Sequence, residues 1–103
     1  MSGFVSVARL EDLPEGGLLP VEVDGVKVVL ARAGDRVHAL HDRCSHEEFP
    51  LSDGEIVGNQ VTCLLHGARF DLETGAPRAL PAVRPVPVYE CRVEDGEIRV
   101  KLG

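Results

Sequence analysis

The chain predicts an all-β fold of short antiparallel strands, with a small lobe inserted into a larger β base. Three observations carry this. Apolar-alternating runs of five to seven residues flank the turn pairs Asp24-Gly25 and Asp95-Gly96, and shorter runs flank Gly58-Asn59. Only residues 10–15 offer a helical turn, and Pro14 limits it. The chain has 103 residues, 44% hydrophobic and 27% charged, enough for one small globular domain and a single core.

Taken in order, residues 4–9 (Phe-Val-Ser-Val-Ala-Arg) alternate as a first strand. Residues 18–23 and 26–32 form a hairpin across Asp24-Gly25, and 36–40 follow across Ala33-Gly34-Asp35. Residues 42–75 differ in texture, with two short strands around Gly58-Asn59 and a third over 68–72, and they are read as the inserted lobe. Residues 76–87 hold Pro77, Pro81, Pro85 and Pro87, which forbid central strand pairing and predict an ordered, extended loop. The chain then closes with a hairpin of 89–93 and 97–102 across Asp95-Gly96. The domain reading is one unit, with a base of about 1–41 and 76–103 and a lobe of about 42–75. Aromatic residues are few (Phe4, Phe49, Phe70, Tyr89), so the core is expected to be mainly Val, Leu and Ala.

The net charge of −6 leaves no basic stripe to neutralise phosphates, so nucleic acid is not an expected partner. An acidic surface suits a protein partner with a basic docking face, or plain solubility. No apolar run approaches the roughly 18 residues of a membrane span. The opening Met1-Ser2-Gly3-Phe4 has neither a charged nor an apolar signal region. A soluble, cytoplasmic monomer is expected. Three cysteines are too few for a disulfide framework. Cys91 alternates with Tyr89 and Val93 on one strand face and reads as a buried free thiol, in keeping with a reducing compartment.

The chemistry lies in two segments, Cys44-Ser45-His46 and Cys63-Leu64-Leu65-His66, separated by sixteen residues. Each offers one thiolate and one imidazole. A structural zinc finger usually takes two cysteines from one knuckle and two histidines from another. The mixed pairing suits a [2Fe–2S] centre in which both cysteines hold one iron and both histidines the other. Two ferric ions, two sulfides and two thiolates sum to neutrality, whereas four thiolates leave a dianion. An electron enters the neutral centre more readily, so two imidazoles raise the potential. The short spacers force tight turns, and Gly67 beside His66 is expected to let the backbone approach closely. Each ligating imidazole keeps one ring nitrogen for solvent or a partner. Ferric iron lowers the pKa of that N–H, so the potential should fall at alkaline pH.

The pattern C-x-H…C-x-x-H, with Leu51-Ser52-Asp53-Gly54 and Val61-Thr62-Cys63-Leu64-Leu65-His66-Gly67-Ala68-Arg69-Phe70-Asp71, resembles the soluble Rieske ferredoxins of bacterial aromatic-ring dioxygenase systems. The resemblance spans nearly the whole chain, and Leu64 departs from a position where the family often has Pro. It implies a Rieske-type antiparallel β sandwich or incomplete barrel with an inserted cluster-binding lobe. It also implies one [2Fe–2S] cluster held by Cys44, His46, Cys63 and His66. High-potential respiratory relatives carry two further cysteines, joined as a disulfide, where this chain has Phe49 and Leu65. They also carry Ser and Tyr hydroxyls where this chain has Ala68 and Phe70. Fewer donors to the cluster sulfurs imply a low potential, roughly −150 mV. Pro81, in Leu80-Pro81-Ala82, is the candidate cluster cover, or a plain strand connector.

The function this implies is a one-electron carrier, not itself an enzyme, between a flavin-dependent ferredoxin reductase and a terminal oxygenase. The mononuclear iron site of an oxygenase needs two further histidines in a second domain, for which 103 residues leave no room. Two alternatives remain. One is a Rieske-type small subunit of a larger oxidoreductase such as nitrite reductase. The other is a structural Cys2His2 zinc interaction module. Glu47 and Glu48 follow a ligand directly and are either a solvated loop or docking charges facing Lys or Arg of a partner. His38 is expected to face solvent, and His41 to lie at the surface or beneath the lobe.

Overall fold

The structure, a computed structural model, describes residues 3–43, 50–63, 67–79 and 84–102. Among the described residues, ten strands form two antiparallel sheets. Strands β1 (Phe4–Arg9), β2 (Leu18–Val23), β3 (Val26–Ala33), β4 (Arg36–His41), β9 (Val88–Glu94) and β10 (Glu97–Lys101) make the larger one, ordered β1-β10-β9-β4-β3-β2. Its two edge strands come into contact with each other, so the sheet curls into a nearly closed barrel. Strands β5 (Glu55–Val57), β6 (Gln60–Thr62), β7 (Arg69–Asp71) and β8 (Pro77–Ala79) make the smaller sheet, a meander in chain order.

The hairpins of the larger sheet form as the turn pairs dictate. Asp24 and Gly25 have φ of 49° and 81°, and Asp95 and Gly96 have 51° and 75°. A tight two-residue turn needs left-handed backbone at both positions, which Asp tolerates and Gly prefers. Val23 then pairs with Val26, and Glu94 with Glu97. The possible helical turn is a single 3-10 turn, Leu10–Asp12, after which Leu13 is fully buried.

Two apolar clusters share the interior. Leu13, Val28, Leu30, Ala39, Ile98 and Val100 fill the curl of the larger sheet. Val29, Ala31, Leu40, Leu51, Val61, Phe70 and Leu72 lie between the two sheets. Strand β3 feeds both, because successive side chains point to opposite faces. That explains its unbroken apolar run Val28-Val29-Leu30-Ala31, all of it buried.

Three features differ from the sequence reading. Residues Pro77–Ala79 are a strand rather than loop, with Pro77 opening an edge strand where its missing N–H costs no ladder bond. A second 3-10 turn, Leu51–Asp53, follows Pro50 and buries Leu51. His38 does not face solvent: it is 9% exposed, on the same face of β4 as Leu40. The alternation places it opposite Val37 and Ala39 as expected. Leu72, in the smaller sheet's last turn, is buried in the same cluster as Leu40.

Candidate metal centre

Four residues anchor the roots of the two candidate metal loops. The first loop leaves β4 at Asp42. Its amide donates to the Lys27 carbonyl at 3.0 Å, and the preceding His41 amide donates to the Pro87 carbonyl at 2.9 Å. The chain returns at Pro50 and Leu51, and Leu51 has no exposed surface. Asp42, only 6% exposed, accepts hydrogen bonds from the Ser52 amide (2.7 Å) and the Ser52 hydroxyl (2.8 Å). Residues 42 and 52 therefore clasp the segment that carries Cys44 and His46.

The second loop leaves β6 at Cys63 and rejoins β7 at Ala68. The Cys63 amide donates to the Ala68 carbonyl at 2.7 Å, closing the loop at its base. Gly67 has a φ of 72°. That left-handed backbone is one glycine adopts without penalty, and among the described residues nothing lies within 4 Å of where its Cβ would stand.

Leu51, Cys63, Ala68 and Phe70 are all fully buried in the cluster between the sheets. The roots of both loops thus converge on one apolar floor. Of the expected ligands, Cys63 is described and lies on that floor. Cys44, His46 and His66 fall outside the described residues, as do Glu47, Glu48, Phe49, Leu65 and Pro81. Ala68 and Phe70 stand beside Cys63 as purely apolar walls with no hydroxyl to offer a sulfur. The donor set suits a [2Fe–2S] centre: two thiolates and two imidazoles on two loops, with one cysteine shielded from water on the protein side.

His41 is half-buried, with Nδ1 3.4 Å from the Tyr89 hydroxyl. Burial pushes that phenol's pKa up. Burial chiefly, and Arg36 after it, holds the His38 pKa below its ordinary value, while Glu73 and Asp71 pull the other way. Asp71 is held low, first by the Glu73 amide that donates to it at 2.8 Å and also by Arg78 at 3.1 Å. Cys91 is half-buried against the barrel cluster, and burial pushes its thiol up to about 11, leaving it protonated at neutral pH. It is a packing residue.

The residues missed from sequence are Asp42 and Ser52. Ser52 stands in the Leu51-Ser52-Asp53-Gly54 text that carries the family resemblance, but nothing local says that it reaches back ten positions.

The fold and donor set define a small iron–sulfur protein of the β class. Residues 3–90 match the Rieske [2Fe-2S] domain, and the chain belongs to that family. It is 41% identical to the anthranilate 1,2-dioxygenase ferredoxin subunit of Burkholderia cepacia over 74% of this chain and 70% of the relative. The ferredoxin of carbazole 1,9a-dioxygenase from Nocardioides aromaticivorans IC177 superposes with a TM-score of 0.94 at 41% identity, covering 99% of this chain and all of that one. A chain in a complex of reduced oxygenase and oxidised ferredoxin in carbazole 1,9a-dioxygenase superposes with a TM-score of 0.91 at 30% identity, covering 98% of this chain and 94% of that one. Membership of a [2Fe–2S] family replaces the zinc-module alternative. No helix among the described residues is long and apolar enough to cross a membrane.

Proposed function

We propose that this protein is the ferredoxin component of an aromatic-ring oxygenase system. It is a soluble, cytoplasmic, monomeric carrier that takes one electron from a flavin-dependent reductase and passes it to a terminal oxygenase. Cys44 and Cys63 hold one iron, and His46 and His66 the other. When bound, the [2Fe–2S] cluster supplies reversible one-electron storage. The chain's own residues supply the rest. Leu51, Cys63, Ala68 and Phe70 shield the cysteine side from water, Glu47 and Glu48 meet Lys or Arg of a partner, and Pro81 covers the site. Apolar Ala68 and Phe70 leave the reduced state without hydroxyl donors, which keeps the potential low.

The observation that carries the reading is the convergence of both loop roots on one buried floor containing Cys63. The near end-to-end match to a dioxygenase ferredoxin adds that the chain is built as a carrier. Reconstitution tests it: a flavin-dependent reductase and a Rieske oxygenase should turn over substrate only when the holoprotein is added. Turnover unaffected by its omission would refute the carrier role. Charge reversal of Glu47 and Glu48 together should slow transfer at low salt and leave the potential nearly unchanged; an unchanged rate would refute the docking role.

A further inference from the structure

We infer that Asp42 is a positioning residue for the first metal loop, holding it in the ligating arrangement. The inference rests on Cys44 and His46 being ligands. Nine residues separate Asp42 from Ser52, and both ligands fall among them. The loop's two ends are joined by two hydrogen bonds to one carboxylate, at 2.7 and 2.8 Å. Neither donor is incidental. The Ser52 amide lies in the first turn of the 3-10 turn Leu51–Asp53, where a backbone N–H has no partner within the turn. The Ser52 hydroxyl adds the second bond. Asp42 is fixed independently through its own amide to Lys27 of β3, so the clasp ties the loop to the larger sheet. Leu51, next to Ser52, is sunk in the floor that contains Cys63. One residue thus connects the larger sheet, through its amide, to the far end of the loop bearing Cys44, through its side chain.

The test uses the holoprotein and the variants Asp42→Asn, Asp42→Ala, Ser52→Ala and Cys44→Ser. The readouts are iron release to a chelator and amide hydrogen exchange. Asp42→Asn keeps an oxygen for the Ser52 amide, so it should release iron at close to the parental rate. Asp42→Ala should release iron many-fold faster, with faster exchange in residues 50–53 and unchanged protection in β9 and β10. Ser52→Ala should fall between. Parental iron release in Ser52→Ala would overturn the inference, even where Asp42→Ala does not fold. Exchange raised equally in β9 and β10 would also overturn it, reducing Asp42 to a general stabiliser. Cys44→Ser separates the two claims. If it keeps the cluster, the ligand assignment fails. If it loses the cluster while the Asp42 variants behave as the parent, the positioning role alone fails.

Discussion

The two sheets are held together by different means. The larger sheet has strands of five to eight residues, closed by tight Asp-Gly turns and filled by alternating apolar side chains. The smaller sheet has only three-residue strands, too short to fix themselves. Polar side chains finish the work there. Asp42 clasps Ser52, and Asp71 accepts from the Glu73 and Thr74 amides and from Arg78. Regular strands make the base, and side-chain clasps tie down the irregular segments between the short strands. Stability and function are thus divided between the two regions.

Leucine truncation separates them most strongly. Leu30 lies in the barrel cluster and Leu40 in the cluster between the sheets, both fully buried. Either change to Ala should cost about 2–5 kcal/mol in denaturant unfolding. Only Leu40→Ala should also speed iron loss, because only its cluster floors the metal loops. Equal effects of both on iron retention would erase the distinction.

Glycine substitutions sharpen it next. A Cβ on Gly54 would collide with the Thr62 backbone carbonyl across the smaller sheet. Gly54→Ala should cost about 3 kcal/mol and shift the strand that leads into Cys63. In the larger sheet, Gly25 has open space around it and a φ of 81°, so Gly25→Ala should cost only about 1–2 kcal/mol, the left-handed penalty. Thermal or urea unfolding checks both.

His38 sits where the sheets meet, and its pKa is lowered on folding. The unfolded chain therefore binds the proton more readily. The stability His38 contributes is complete above its ordinary pKa, near 6.5, and is lost as pH falls through the lower folded value. Asp71, itself held low, stays ionised across that range. The gap in melting temperature between the parent and His38→Gln should change between pH 7.5 and pH 5, with the parent losing more. A constant gap would mean that the smaller sheet does not seal that face. The smallest effect belongs to Arg36 and Glu73, paired at 2.8 Å but with side chains 70% and 49% exposed. Arg36→Ala should cost no more than about 1 kcal/mol.

The same division explains what could be read from sequence. Asp24-Gly25 and Asp95-Gly96 announce their hairpins because turn chemistry is local. The Cys/His pairs announce the metal because ligand identity is local too. Alternation sets His38 apart from Val37 and Ala39 but cannot say whether that face meets solvent or a second sheet, and His38 is buried. Pro77 reads as loop because proline is poor within sheets, and edge pairing depends on a neighbour seven residues or more away. The Asp42–Ser52 clasp spans ten positions between two residues that are ordinary in loops.

The midpoint potential of the purified holoprotein tests the central claim most directly. Ala68 and Phe70, without hydroxyls, wall the buried Cys63, and the low-potential carrier assignment depends on that apolar surround. A value at the bottom of the Rieske range, roughly −150 mV, is expected at neutral pH, falling further in alkali as the histidine N–H groups ionise. A value well above zero, or one that stays flat up to about pH 11, would contradict the account.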